Sequence, residues 1–161
     1  MNPVELEIRL KSQNYIEADM IEEAFKFWYN DNEHIRSPFP YYIRENLRNA
    51  SIEKFLDWGA QISEDAKKDI NDEILAEKLE EVIFELALPM VLTEDERLTI
   101  RYPFMVKIGD VIKQKDAPPD AAESIITDRW YKRTGDHSFM KVKLKNNASG
   151  EIWETEFELP E

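Results

Sequence analysis

Leu98-Thr99-Ile100-Arg101-Tyr102-Pro103-Phe104-Met105-Val106-Lys107-Ile108 sets an apolar or aromatic residue at every second position. Successive side chains of a strand point to opposite faces, so this stretch predicts a strand over 97–108, bent at Pro103. Upstream of Leu88-Pro89 the apolar residues recur at helical spacing instead. The change of rhythm predicts a helical part followed by an antiparallel β part, and hence an α+β fold.

Working back from that junction, Ser63 caps a helical stretch that reaches Leu88. Its apolar face jumps: Ala66, Ile70 and Ile74 lie nearly opposite Leu75, Leu79, Val82, Ile83 and Leu86. A break near Asn71–Asp72, with Asn71 as a new N-cap, removes the conflict and puts Asp72 and Glu73 in a favourable first turn. Before it, two short helices are expected, Tyr41 to Asn49 and one capped by Ser51 and ending at Gly59. Ser37-Pro38-Phe39-Pro40 holds the preceding loop extended. From Tyr15 to Asn30, Ile16, Met20, Ala24, Phe27 and Trp28 make one apolar side, widened by Ile21 and Phe25, of a central core helix. Residues 3–11 stand between two readings. Val4, Leu6, Ile8 and Leu10 alternate as in a strand, to which the reading leans, whereas Asn2-Pro3-Val4-Glu5 is a helix start.

Working forward, Gly109-Asp110 turns the chain into Val111–Lys113, and Asp116 to Asp120 is a loop. Ile125–Arg133 turns through Thr134-Gly135-Asp136 into Phe139–Lys145, and Ile152–Leu159 is the last strand. Met140, Val142 and Leu144 share one face of their strand, and Lys141, Lys143 and Lys145 the other. In the partner strand, Trp153, Thr155, Phe157 and Leu159 alternate with Glu154, Glu156 and Glu158. Antiparallel pairing then sets lysine against glutamate, a sheet-stabilising ladder and not a phosphate-binding strip.

The expected architecture is an N-terminal helical layer of four to five helices on a C-terminal antiparallel sheet or small open barrel. The lobes are drawn at 1–95 and 96–161, as one compact unit sharing a core. A chain of 161 residues with 18 aromatics has ample material for that core.

The chain carries 34 acids against 21 bases, a net charge of −13. Residues 1–88 hold 20 of the acids and only 10 of the bases. Such a field repels nucleic-acid phosphates and anionic lipid and favours a cationic partner. With no cysteine, disulfides, thiolate catalysis and Cys-ligated metals are excluded. The first residues are too charged for a signal peptide, and the longest apolar stretch, Val82 to Leu92, is cut by Glu85 and Pro89. The expected location is the cytoplasm, with no membrane and no nucleic-acid partner.

No catalytic residue, metal site or cofactor is expected. His34 and His137 stand apart in loops, without a nucleophile motif or a zinc spacing. Asn30-Asp31-Asn32-Glu33-His34 lacks the central glycine of a calcium loop, and Pro38 intrudes. No glycine-rich phosphate loop occurs, and two Asn-x-Ser triplets, at Asn49 and Asn147, carry no information.

Two features stand out. Asp69, Glu73, Glu77 and Glu80 recur at helical steps, extended by Glu81 and Glu85, and like charges at that spacing weaken a helix. Either they face a basic partner, or Arg44, Arg48 or Arg101 of the same chain neutralises them. Aromatics cluster at Tyr41, Tyr42 and Trp130, as a ligand or partner ridge or as filling between helices and sheet. The leading expectation is a non-enzymatic interaction module, such as an inhibitor, immunity-type protein or assembly subunit, that binds a basic protein through Asp69, Glu73, Glu77 and Glu80. The alternative is a small-ligand protein or enzyme using carboxylates with Tyr41, Tyr42 or Trp130. A third is a structural subunit of a larger assembly.

Overall fold

The computed structural model describes residues 2, 4–6, 18–113 and 123–160. It shows an α+β fold with N-terminal helices and a C-terminal antiparallel sheet, and Met1–Pro103 and Phe104–Glu161 form two compact units. The first described residues take the helix start. Asn2 Oδ1 accepts the Glu5 N–H at 2.8 Å, Glu5 Oε2 accepts the Asn2 N–H at 3.2 Å, and residues 4–6 are helical. The leaning to a strand therefore fails at Val4–Leu6, because reciprocal capping satisfies donors that an isolated strand would leave open. Residues 7–11, Tyr15–Glu17 and the Asp116–Asp120 loop lie outside the described residues.

In the helical unit, α1 spans Ala18–Trp28, α2 Tyr41–Ala60, α3 Glu64–Lys67, α4 Asp72–Ala87 and α5 Glu94–Arg101, with a 3₁₀ turn at Leu88–Met90 before α5. The α1 face turns about Ile21 and Phe25, which are buried, while Met20, Ala24 and Trp28 are partly buried and Phe27 is exposed. The two helices expected between Tyr41 and Gly59 are one continuous helix, α2. Ile43, Leu47, Ser51, Phe55 and Gly59 recur every four residues along its buried stripe. Ser51 is thus the small residue in the middle of that stripe, not a cap.

The break after Ser63 stands as the sequence indicated. Ser63 accepts the Ala66 N–H to start α3, and Asn71 Oδ1 accepts the Ile74 N–H at 2.9 Å to start α4. Leu75, Leu79, Val82, Ile83 and Ala87 are buried along α4. Leu75, Leu79, Ile83 and Ala87 join Leu47, Ile52, Phe55 and Leu56 of α2 in the main core.

The strand expected over 97–108 is overturned. Residues 94–101 are helical, and a turn-rich segment follows to Asp110. Thr93 Oγ1 accepts the Glu96 N–H at 3.1 Å, and Glu96 Oε1 accepts the Thr93 N–H at 3.0 Å. That capping box, three acids in the first turn and Arg101 in the last all favour helix. Pro103, which lacks an N–H for a ladder, leaves Phe104–Ile108 with no continuous strand to extend. Alternation alone misled here, since Leu98 and Ile100 are both buried on a helix that is covered on more than one side.

The sheet unit holds β1 (Val111–Lys113), β2 (Glu123–Thr134), β3 (His137–Asn146) and β4 (Ile152–Glu158) in the order β1-β2-β3-β4, curled into a half-barrel. Gly135 and Asp136 alone join β2 to β3, since Thr134 pairs with His137. Gly135 has φ of 61°, the left-handed conformation such a two-residue hairpin turn demands at its first position. Asn146 Oδ1 accepts the N–H groups of Ala148 and Ser149, both at 2.9 Å, and shapes the turn into β4.

Met140, Val142 and Leu144 of β3 are fully buried, with Ile126 of β2 beside Leu144. A bulge between Ile126 and Asp128 keeps Arg129 on that buried face, where its guanidinium donates to the Val106 carbonyl at 2.8 Å. On the opposite face Lys141 stands across from Glu156 and Lys143 across from Glu154. Lys145, however, faces Ile152, so the ladder has two charge pairs, not three.

Candidate functional site

Helix α4 has two faces made by one sequence. The apolar residues at positions 75, 79, 82, 83 and 87 pin one side into the core, and this forces Glu73, Glu77 and Glu80 to the other side, in water. Asp69 sits just before the helix and is also exposed. Among the described residues none of these four carboxylates is ion-paired.

Among the described residues, Arg44, Arg48 and Lys54 bond to groups other than these four carboxylates, and so does Lys78. Arg44 donates to the Phe39 carbonyl at 2.9 Å, the Tyr29 carbonyl at 2.8 Å and Ser37 Oγ at 3.2 Å. Arg48 pairs with Glu22, and Lys54 with Glu85 at 3.5 Å. Lys78 on α4 reaches Glu81 at 3.5 Å and lies 5.7 Å from the Trp58 ring centre.

Glu77, Glu80, Glu81 and Phe84 line an open concavity of about 230 Å³. The Phe84 ring is half-buried and held edge-on between Trp28, at 4.8 Å, and Phe39, at 5.1 Å between ring centres. Partial desolvation raises the Glu80 pKa above the ordinary carboxylate value, and repulsion from Glu77 adds to the shift. The concavity thus combines an aromatic floor with Glu77 and Glu80, whose charges repel each other, while Glu81 is paired with Lys78. A guanidinium or ammonium group placed there would gain ion pairing and ring contact together.

The aromatic candidates separate. Tyr41 is 84% exposed, with the Arg44 guanidinium 4.0 Å from its ring centre. Tyr42 is a fastener: its hydroxyl donates to Glu96 Oε2 at 2.7 Å and accepts the Leu92 N–H at 3.1 Å, tying α2 to the start of α5. Trp130 belongs to the other unit, half-buried on β2 opposite Lys141.

Phe84 and the Tyr42–Glu96 link were missed in the sequence. Phe84 was readable as the aromatic nearest the acid stripe, whereas a link across 54 residues leaves no local signal. His34 is exposed beside Glu33, and His137 pairs through Nδ1 with Glu158 at 3.1 Å. Among the described residues no cluster of three or more metal-ligating side chains exists, and no helix is long and apolar enough to cross a membrane. A second open concavity, about 370 Å³, is lined by Glu23, Lys26, Phe27, Asn30 and Asn32 at the end of α1. The chain matches no protein-family model, no curated protein and no solved structure.

Proposed function

We propose that this protein is a non-enzymatic interaction module whose acidic α4 face captures a basic protein partner. The observation that carries the reading is the concavity of Glu77, Glu80, Glu81 and Phe84, with Glu73 one turn earlier on the same helix. Glu77 repels Glu80, and Arg44 and Arg48 are spent on other bonds. A partner's arginine or lysine seated on Phe84 would relieve that repulsion, and the surrounding field would steer the encounter. Steering of this kind raises the association rate more than the final affinity. A cysteine-free chain suits a reducing compartment, so the reading places the encounter in the cytoplasm.

The test is capture of a partner at low salt, followed by stopped-flow association with defined variants. Glu73→Lys with Glu77→Lys should slow association about tenfold or more and flatten its salt dependence. A control reversal at Glu33, on the loop after α1, should do neither. Association and salt slope unchanged in the double variant, with its melting curve intact, would reject the α4 reading.

A further inference from the structure

Strand β4 is the edge of the sheet, and among the described residues nothing pairs with its outer side. Its free groups can be identified. The Asn146 N–H donates to the Glu151 carbonyl and the Leu159 N–H to the Ser138 carbonyl, both at 2.8 Å. In an antiparallel ladder, bonded and non-bonded pairs alternate. Trp153, Thr155 and Phe157 therefore spend their backbone groups on β3. Ile152, Glu154, Glu156 and Glu158 turn theirs outward.

A strand's side chains stand on the two faces of the sheet, so a neighbour on either edge meets the same two rows. Along β4 these are a half-buried row of Trp153, Thr155 and Phe157 and an exposed row of Glu154, Glu156 and Glu158. The molecule already shows which sequence satisfies both. On its inner side β4 pairs with β3, whose Met140, Val142 and Leu144 meet the aromatic row and whose Lys141 and Lys143 meet the glutamates. The Trp153 indole N–H donates to Ser124 Oγ at 3.0 Å, which fixes one aromatic of that row in place.

We infer that the outer edge of β4 binds an extended segment of a partner protein in which aliphatic residues alternate with lysine or arginine, added to the sheet as a fifth strand. Seven residues, matching Ile152–Glu158, fill the edge. The glutamate row also selects against the commonest competitor. Two copies of β4 paired antiparallel would set Glu154 and Glu156 against the partner copy's glutamates, and like charges directly opposite are destabilising. This site stands on a different unit and a different observation from the α4 concavity.

The probe is a capped peptide of residues 139–145, Phe-Met-Lys-Val-Lys-Leu-Lys, added to the full chain and read by amide hydrogen exchange. The expected result is selective: exchange at Ile152, Glu154, Glu156 and Glu158 slows about tenfold, with Trp153, Thr155 and Phe157 already protected in the free protein. A peptide carrying glutamate in place of its three lysines should give no slowing. Glu154→Pro removes an outward N–H without costing a ladder bond and should abolish binding. Glu154→Lys, which keeps the backbone intact, should weaken binding about tenfold at low salt, and it decides the matter if the proline variant unfolds.

Glu73→Lys with Glu77→Lys on α4 should leave the slowing unchanged, so failure of one site is distinguishable from failure of the other. The inference is overturned if the four amides stay unprotected. Equal binding of the glutamate peptide overturns it too, as does a free protein that sediments as a dimer with those amides already slow.

Discussion

Ser51 and Glu80 show how a single side chain can work against the fold that holds it. The Ser51 hydroxyl is fully buried in the middle of α2 and has no hydrogen-bond partner among the described residues. A buried hydroxyl left unpaired costs about 1–3 kcal/mol. Ser51→Ala keeps the small volume and removes that cost, so it should raise the unfolding free energy by about 1 kcal/mol in urea denaturation. At Glu80 the cost is electrostatic. Because its pKa is raised in the folded state, by desolvation first and Glu77 second, the folded protein holds this proton more tightly than the unfolded chain. Stability from this group is therefore greatest in acid and falls as pH rises through the raised pKa. Glu80→Gln should melt higher than the parent at pH 7, and the gap should close once the pH lies below the ordinary carboxylate value. A parent that melts higher at pH 7 would contradict the assigned sign. The bland residues behave as sequence patterning implies: Leu79→Ala, at a fully buried position of α4, should cost about 2–5 kcal/mol.

Among elements, α5 most needs its neighbours, because eight residues make only two turns and isolated helices of that length are marginal. Three devices hold it: the Thr93–Glu96 capping box, the acids of the first turn, and the Tyr42 hydroxyl on Glu96. Desolvation tends to raise the Glu96 pKa, but the hydrogen bonds from Tyr42, Thr93 and Leu92 outweigh it and hold the carboxyl below its ordinary value. The sign is opposite to that at Glu80. This contribution is present above the unfolded-state pKa and is lost as pH falls through the lowered one. Tyr42→Phe should therefore reduce the acid sensitivity of α5, read as amide exchange at Leu98–Arg101 between neutral and acid pH. Thr93→Ala should cost about 1 kcal/mol through the lost cap. The capping pattern Thr93-Glu94-Asp95-Glu96 was written in the sequence in front of the stretch read as a strand. A period of two over Leu98–Ile108 reads as a strand bent at Pro103 when taken without that cap, but a proline has no N–H to give a ladder. At Asn71 the same kind of signal was used, and there the helix boundary came out where the structure has it.

At the scale of the whole molecule, charge is the dominant unsatisfied quantity. With −13 overall and most of the excess in residues 1–88, self-repulsion opposes the compact state, and salt screens it over a length of about 10 Å at 0.1 M. The melting temperature should rise by a few degrees between about 10 mM and 500 mM NaCl, a change that calorimetry resolves. The sequence by itself determined the α+β order, the α3–α4 break, the β2-β3-β4 meander and the exposure of Glu73, Glu77 and Glu80. Each follows from period, caps and turn residues, which act over a few positions. Only the tertiary structure decided that Leu98–Arg101 is helix, that Ser51 lies mid-helix, that Tyr42 fastens Glu96, and that Phe84 floors the acidic concavity. Those outcomes depend on which surfaces meet across tens of residues, and burial against a neighbour is worth more than the local preference it overrides.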